Sequence, residues 1–249
     1  MPCIIVAVFD ALRYTVRMRL SLEKVAEDIW AYSVPPSGRS MPLGGRSVIV
    51  RLRDEALWVH SPCPGVADLH EPLRALGSVR YLIAPSQFHN LYMAQWHQAY
   101  PAAEIWTAPG MQKRLADQCT FPVHAELGGE RRYPWSEALD QHLVRGADKL
   151  QETVFLHRAS RSLILTDLAF NVRSGMGAVG TLMMKLNGAY GRFGPSRVMR
   201  HVFTSDKPAL RSSIDTLSSW DFDRIIPAHG DIVETGGPQA LREAFAYLY

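Results

Sequence analysis

Two stretches of the chain place a chemically capable side chain directly after a short apolar run. Asp167 follows the apolar residues 163–165, and His229 with Gly230 follows the apolar pair at 225–226. A carboxylate at the end of a buried strand costs free energy unless a partner or a ligand pairs with it. Ligands of layered α/β folds commonly bind at strand ends. Asp167 is therefore a candidate for chemistry, the alternative being a cap on the following helix.

The histidine of the second stretch has two interpretations. An imidazole at a strand terminus, with a glycine behind it, lets both the ring and the backbone approach a ligand closely. Alternatively, His229 is a loop histidine that bonds a backbone carbonyl. His229, like Asp167, is therefore a candidate for contact with a ligand.

Composition excludes several classes of function. The 249 residues include 27 basic and 24 acidic side chains, and this balance does not favour nucleic acid as a partner. No apolar run approaches the roughly 20 residues that span a bilayer, so we expect no membrane partner. Three scattered cysteines (Cys3, Cys63 and Cys119) indicate a reducing compartment, and we expect a cytoplasmic protein. A small-molecule ligand remains as the expected partner, and composition leaves the oligomeric state open.

The elements that must position these residues follow a recognisable order. A β-hairpin is predicted early in the chain and is followed by alternating strands and helices, which places sheets in the middle and helices outside. Residues 1–20 fit this order poorly, so we treat them as an N-terminal extension, with Met1 or Met18 as the natural start, and 21–249 as one domain. The predicted strands are 47–52, 56–60, 79–85, 104–109, 141–145, 152–157, 161–167 and 223–227, and the predicted helices 68–76, 90–99, 110–118, 207–220 and 238–247.

Several segments together resemble the metallo-β-lactamase superfamily, in particular a divergent branch of unknown function. The resemblance covers roughly residues 24–247 and rests on TD at 166–167, HG at 229–230, LWVHSP, VRYLIAPSQFHNLYMAQWHQAYP, IWTAPG and ETVFLHRASRSLILTDL. It implies an α/β fold built as a four-layer αββα sandwich. It also implies that Asp167 corresponds to a bridging metal ligand and His229 to the last histidine ligand.

The superfamily's HxHxDH motif is largely missing. The best overlay puts Pro85 and Gln87 at the first two histidine positions, His89 at the aspartate position and Asn90 at the last histidine position. Proline has no side-chain donor and an amide binds zinc poorly, so the usual three-histidine site cannot form. We therefore expect at most one metal ion.

Four ligand candidates remain: His89, His142, Asp167 and His229. His142 stands near the place of a further family histidine, although the overlay is loose there. These side chains could hold one zinc or iron ion, with Asp167 as the catalytic residue of a hydrolase acting on a small ester, lactone, thioester or amide. The alternative is a metal-free, catalytically inactive member that binds a small molecule or a partner protein.

The expected substrate-binding residues come from the same overlay and from a later segment. Gln87 and Asn90 occupy motif positions, and His60 ends the strand where the family has a supporting aspartate. Segment 172–200 is rich in glycine and methionine, and we expect it to cover the site with an apolar helical side that includes 182–186. Arg192, turned inward, would hold a substrate carboxylate.

Overall fold

A computed structural model describes residues 21–36, 43–115, 120–129, 131–174 and 177–249. The predicted extension over 1–20 lies outside these residues, as do Cys3 and Cys119. None of the helices within the described ranges has the length and apolar character needed to cross a membrane.

The first sheet contains seven strands that lie in sequence order. β1 to β4 pair antiparallel, whereas β4 to β7 pair parallel, so the ends of β4 and β5 share one edge. The strands are β1 (Glu23–Ala26), β2 (Ile29–Val34), β3 (Gly45–Arg51), β4 (Ala56–His60), β5 (Ser78–Ala84), β6 (Glu104–Thr107) and β7 (Ala125–Glu126).

The second sheet has four strands in the order β11, β10, β9, β8. β10 pairs parallel with β11 and antiparallel with β9, and all four residues of β10 are buried. Burial on both faces explains why the apolar run at 163–165 lacks the alternation of a half-exposed strand. The strands are β8 (Leu139–Leu143), β9 (Thr153–His157), β10 (Ser162–Leu165) and β11 (Arg224–Pro227).

The two sheets pack face to face, and helices cover their outer faces. The layer between the sheets joins Trp58 and Tyr81 of the first sheet to Phe155, Ile164 and Ile226 of the second. The expected αββα sandwich is therefore confirmed. The helices are α1 (Val66–Leu76), α2 (Met93–Ala99), α3 (Met111–Leu115), α4 (Ala178–Leu186), α5 (Lys207–Ser218) and α6 (Gly237–Ala244), with a π-helical turn at Met199–Phe203 and a 3₁₀ turn at Ala246–Leu248.

Helix α5 shows how the outer layer is specified. Leu210, Ile214 and Leu217 recur at helical spacing and are all buried in the core between this helix and the second sheet. Asp206 begins the helix, because its carboxylate accepts a hydrogen bond of 3.0 Å from the amide of Ala209. The predicted helix over 207–220 thus ends only two residues early.

The first strands form a tight turn. The sequence before Pro35–Pro36 predicts a short strand or a strand with a turn, and the structure forms a tight hairpin of β1 and β2. Asp28 supports the turn with a positive φ of 57°, a conformation that aspartate tolerates better than most residues. No glycine or proline marks that turn, so the sequence gives little warning of it.

Candidate metal centre

Three side chains converge where β5, β10 and β11 end. The Nε2 atom of His89 lies 3.3 Å from one carboxylate oxygen of Asp167, and the Nε2 atom of His229 lies 3.5 Å from the other. One donor atom from each of the three falls within 4.8 Å of the others. Asp167 and His229 thus share one edge of the sandwich, and His89 joins them from the first sheet.

The His229 ring is oriented by the opposite side of its imidazole. Its Nδ1 lies 2.9 Å from the carbonyl oxygen of Gly44, and because a carbonyl can only accept, Nδ1 carries the proton. Nε2 is therefore the ring nitrogen that faces Asp167. Fixing one nitrogen in this way is how proteins orient histidine ligands for metals.

Gly230 allows the chain to turn directly after His229. Its φ is +88°, and a Cβ built there would lie 2.2 Å from the carbonyl oxygen of Asn171. The amide of Asn171 donates in turn to the carbonyl of His229 at 3.1 Å. Glycine at this position therefore allows the chain to pass close to the backbone of Asn171.

His89 is held by a serine at the end of β4. The Ser61 hydroxyl lies 2.5 Å from Nδ1 of His89, which leaves Nε2 directed at Asp167. Ser61 has an unusual φ of +53°. Its carbonyl accepts from the hydroxyl of Ser47 at 2.7 Å, and that hydroxyl also accepts from the amide of Cys63 at 2.8 Å. This buried network keeps the loop in its strained conformation.

The carboxylate of Asp167 is strongly stabilised in its charged form. Burial alone would raise its pKa, but the charge of His89 and hydrogen bonds from His229 and His89 hold the pKa far below its usual range. Burial likewise acts to lower the pKa of His89, and the Asp167 charge and hydrogen bond outweigh burial and raise it. Without metal, Asp167 and His89 therefore form a buried ion pair.

The sequence interpretation missed a fourth functional side chain, Glu152. This glutamate is fully buried beneath the site, and its two carboxylate oxygens accept hydrogen bonds from the amides of Thr166 and Leu168, at 2.6 and 2.8 Å. Burial and the nearby charge of Asp167 raise the pKa of Glu152 to about 7. Its position just before β9 resembles an ordinary turn residue, and only the pairing of β9 with β10 reveals its role.

A cavity of about 170 Å³ opens onto the three converging side chains. Its polar groups are Ser61, His89, Asp167 and His229. The remaining walls are mainly apolar or backbone: Leu43, Gly44, Gly45, Pro62, Cys63, Phe88, Leu91 and Tyr92. Burial raises the pKa of the Cys63 thiol to about 11, so this cysteine is an inert wall at neutral pH.

His142 does not join the other ligand candidates. It pairs with Val154 across β8 and β9, and Val154 lies in the core between the second sheet and its helices. The His142 ring accordingly meets Trp220 edge-on, at 6.4 Å between ring centroids. The expectation that His142 contributes a metal ligand is not supported, because its side chain faces the helical layer.

Gln87 and Asn90 hold the loop after β5 together and do not line the cavity. The Gln87 amide donates to the carbonyl of Pro109 and accepts from Arg114, both at 2.6 Å. Asn90 donates to the carbonyl of Gln87 at 2.8 Å. Both side chains are occupied in backbone support, so the structure does not place them where a substrate would bind.

His60 and Arg192 are also placed away from a substrate. His60 is fully buried between the sheets, stacked 5.5 Å from Trp58, and neither ring nitrogen has a hydrogen-bond partner among the described residues. Burial, with the charge of His89, lowers its pKa well below the usual value. Arg192 is exposed and donates to the carbonyl of Gly188 at 3.3 Å. Neither residue lines the cavity.

Helix α4 turns most of its apolar residues toward solvent, whereas the sequence predicted that they cover the site. Within α4 only Met184 is buried, where it packs against Phe170, Val172 and Ala189. The other apolar residues of the helix face solvent: Val179, Leu182, Met183 and Leu186. The apolar side of α4 therefore does not cover the cavity, and the prediction that it covers the site was wrong.

Comparison with known proteins agrees with this architecture. The DIM-1 metallo-beta-lactamase structure matches with a TM-score of 0.65 at 13% identity, covering 92% of this chain and 98% of its own. FIM-1 from Pseudomonas aeruginosa, in a mono-zinc form, gives 0.64 at 12%, covering 92% and 94%. The metal-soaked Flv1 flavodiiron core from Synechocystis sp. PCC6803 gives 0.62 at 12%, covering 92% and 60%.

At these identities the likeness establishes the fold alone. No curated protein matches the sequence. Residues 40–189, more than half of the chain, match the family model described as "Domain of unknown function (DUF4336)". The resemblance stated from the sequence is thereby confirmed, and the chain belongs to the DUF4336 family with a metallo-β-lactamase fold.

Proposed function

We propose that this protein is a mononuclear metal-dependent hydrolase of a small ester, lactone, thioester or amide. The observation that carries the proposal is the convergence of His89, Asp167 and His229 within 4.8 Å. Two imidazoles and a carboxylate form a donor set suited to zinc or iron, and both rings present Nε2 to the shared carboxylate. The donor set thus fits one ion.

A bound zinc or iron ion would supply Lewis-acid activation of water near neutral pH. The chain's own residues prepare the place for it. Asp167 stays ionised at any physiological pH because its pKa is so low, which suits a ligand better than a proton carrier. Ser61 and the carbonyl of Gly44 orient the rings of His89 and His229, so metal binding would require little further ordering of either ring.

The cavity limits the substrate to a small molecule. Its volume of about 170 Å³ is below the range typical of drug-sized ligands. Phe88, Leu91 and Tyr92 line one side, and this wall favours an uncharged, partly apolar acyl group. The chemistry of the carbonyl centre, rather than a large recognition surface, would then define the reaction.

A second candidate, a metal-free binding module, rests on a specific observation. Asp167 already has an imidazole against each of its oxygens, at 3.3 and 3.5 Å, so the trio is electrostatically satisfied by itself. In that case the cavity would bind a small neutral molecule without hydrolysing it.

Restoring metal to stripped protein separates the two candidates. The protein is treated with a chelator, dialysed and assayed with p-nitrophenyl acetate, a γ-lactone and an acyl thioester during titration with Zn²⁺ or Fe²⁺. We expect hydrolysis to appear and to saturate at one equivalent, to be lost in His229→Ala and to persist in His142→Ala. Hydrolysis independent of metal would contradict the metal-dependent hydrolase, and no hydrolysis of any of the three substrates at saturating metal would favour the binding module.

A further inference from the structure

We propose that Glu152 is a positioning residue, which sets the place of the Asp167 carboxylate between His89 and His229. The inference rests on the proposed metal site and adds a residue outside its ligand set. Glu152 is not among the residues that line the cavity, and its carboxylate accepts hydrogen bonds from the backbone on either side of Asp167.

The contacts of Glu152 bracket the candidate ligand. One carboxylate oxygen accepts from the amide of Thr166 and the other from the amide of Leu168, the residues on either side of Asp167. Both bonds are short, at 2.6 and 2.8 Å. The turn that ends β10 is therefore held at two points, one on either side of Asp167. This restricts the direction in which the Asp167 side chain leaves the backbone.

A carboxylate is the group best suited to this clamp. Thr166 and Leu168 offer two donors, and each of the two carboxylate oxygens accepts from one of them. The glutamine of the same shape has one acceptor and one NH₂ group, so one of the two amides would meet a donor. A fully buried carboxylate is costly, and an apolar residue would pack at lower cost if packing were the only requirement.

The clamp also crosses the sheet. Glu152 immediately precedes β9, and β9 pairs with β10 through Leu156 and Leu163. The strand before the site thus holds the strand end that carries the ligand. Loss of the clamp would leave β10 in place and free the turn after it, so the predicted effect is on metal binding rather than on the fold.

The test measures Co²⁺ affinity and the Co²⁺ visible spectrum in Glu152→Gln. We expect binding weaker by about 10–100-fold, the usual cost of losing a group that orients metal ligands, and a changed d–d spectrum. Leu156→Ala serves as the control, because it truncates a buried side chain of the same strand that does not line the cavity. This variant should lose stability and keep the wild-type affinity and spectrum. An E152Q affinity within twofold of wild type would overturn the proposal.

A second measurement uses the metal-free protein, so that it succeeds or fails independently of the metal site. The ¹³C resonance of the Asp167 carboxyl and the exchange of the Thr166 and Leu168 amide hydrogens are recorded by NMR. In E152Q we expect the resonance to move and both amides to exchange at least tenfold faster, with neither change in L156A. An unmoved resonance would refute the positioning role even if wild type binds metal. A moved resonance with no Co²⁺ binding in wild type would instead refute the metal site alone.

Discussion

The two edges of the sandwich carry cavities of opposite character. The edge where β4, β5, β10 and β11 end has a small cavity of about 170 Å³ over buried titratable groups. The other edge, at the turns between β3 and β4 and between β9 and β10, has a much larger cleft of about 960 Å³. Ion pairs there are surface pairs, such as Arg158 with Asp140 and Arg80 with Asp54.

The difference shows that cavity size is a poor guide to chemistry in this protein. Charges in the large cleft are hydrated, and each pair contributes little because water screens it. Charges at the small cavity are buried and strongly shift one another's pKa values, as Asp167, His89 and Glu152 do. Perturbed titratable groups in a cavity are the better indicator of a functional site.

The largest expected effect is that of Asp167→Asn. The change removes the one negative charge that His89 and His229 share, leaving a buried histidine without its ion partner. We expect the free energy of unfolding of the metal-free protein to fall by about 3 kcal/mol near pH 7, as when one partner of a buried pair is removed. Asp140→Asn, at the other edge, is the matched control. Chemical denaturation should show that it lowers the free energy of unfolding by under about 1 kcal/mol. Equal losses would erase the contrast between the edges.

A backbone change at the site should come next. In Gly230→Ala the new Cβ would lie 2.2 Å from the carbonyl of Asn171, and φ is already +88°. We expect the free energy of unfolding to fall by about 2–3 kcal/mol and His229 to be displaced, because backbone strain and steric overlap add. Gly110→Ala is the matched control, since its φ is +74° and no atom of the described residues lies within 4 Å of the new Cβ. This control should lower the free energy of unfolding by about 1 kcal/mol. A loss in G230A no larger than that of the control would contradict the account.

The pH dependence of stability should reveal His60. Its folded pKa lies well below 6.5, whereas the unfolded chain takes up a proton near pH 6.5. The unfolded state therefore binds more protons as pH falls below this value, and the stability of the folded protein decreases, by at most about 1.4 kcal/mol per pH unit.

His60→Leu removes this pH-dependent contribution to stability, together with two buried ring nitrogens that have no hydrogen-bond partner in the described part of the chain. We expect its stability relative to wild type to rise as pH is lowered from about 6.5, measured by urea denaturation at several pH values. His70→Leu, at a half-exposed histidine, is the control for replacing an imidazole by an apolar side chain. A constant difference between H60L and wild type across this range would show that His60 titrates normally.

The smallest effect is expected at the large cleft. Arg158→Ala breaks the contacts with Asp140 and two further hydrogen bonds, yet half of this side chain is exposed. We expect less than about 1 kcal/mol of stability to be lost and metal content to stay unchanged. Reduced metal content in R158A, measured by elemental analysis, would mean that the two edges are coupled.

The fold could be predicted from local signals in particular elements. The apolar run ending in Asp167 and the pair ending before His229 mark two parallel strands whose ends meet, and the structure pairs β10 with β11 in this way. His89 was placed by overlay on a known motif, and the structure brings it to the same point. Local periodicity and one resemblance were sufficient for these features.

Features that depend on strand register were not predictable. His142 faces the helical layer because its cross-strand partner Val154 does, and the sequence does not show which face β8 presents. Glu152 acts on a turn 14 residues away, which becomes visible only once β9 and β10 are paired. The sequence also does not show that the apolar residues of α4 face solvent. A helical pattern identifies an apolar face of the helix but not what packs against that face.

Metal stoichiometry tests the central claim most directly. Protein purified without chelator is analysed for zinc and iron by mass spectrometry, beside His142→Ala and Asp167→Ala. We expect one ion per chain in wild type and in H142A, because His142 lies away from the converging donors, and under about 0.1 per chain in D167A, since D167A removes the shared carboxylate. Two tightly held ions in wild type, a loss of metal in H142A, or no metal after reconstitution with either ion would contradict the account.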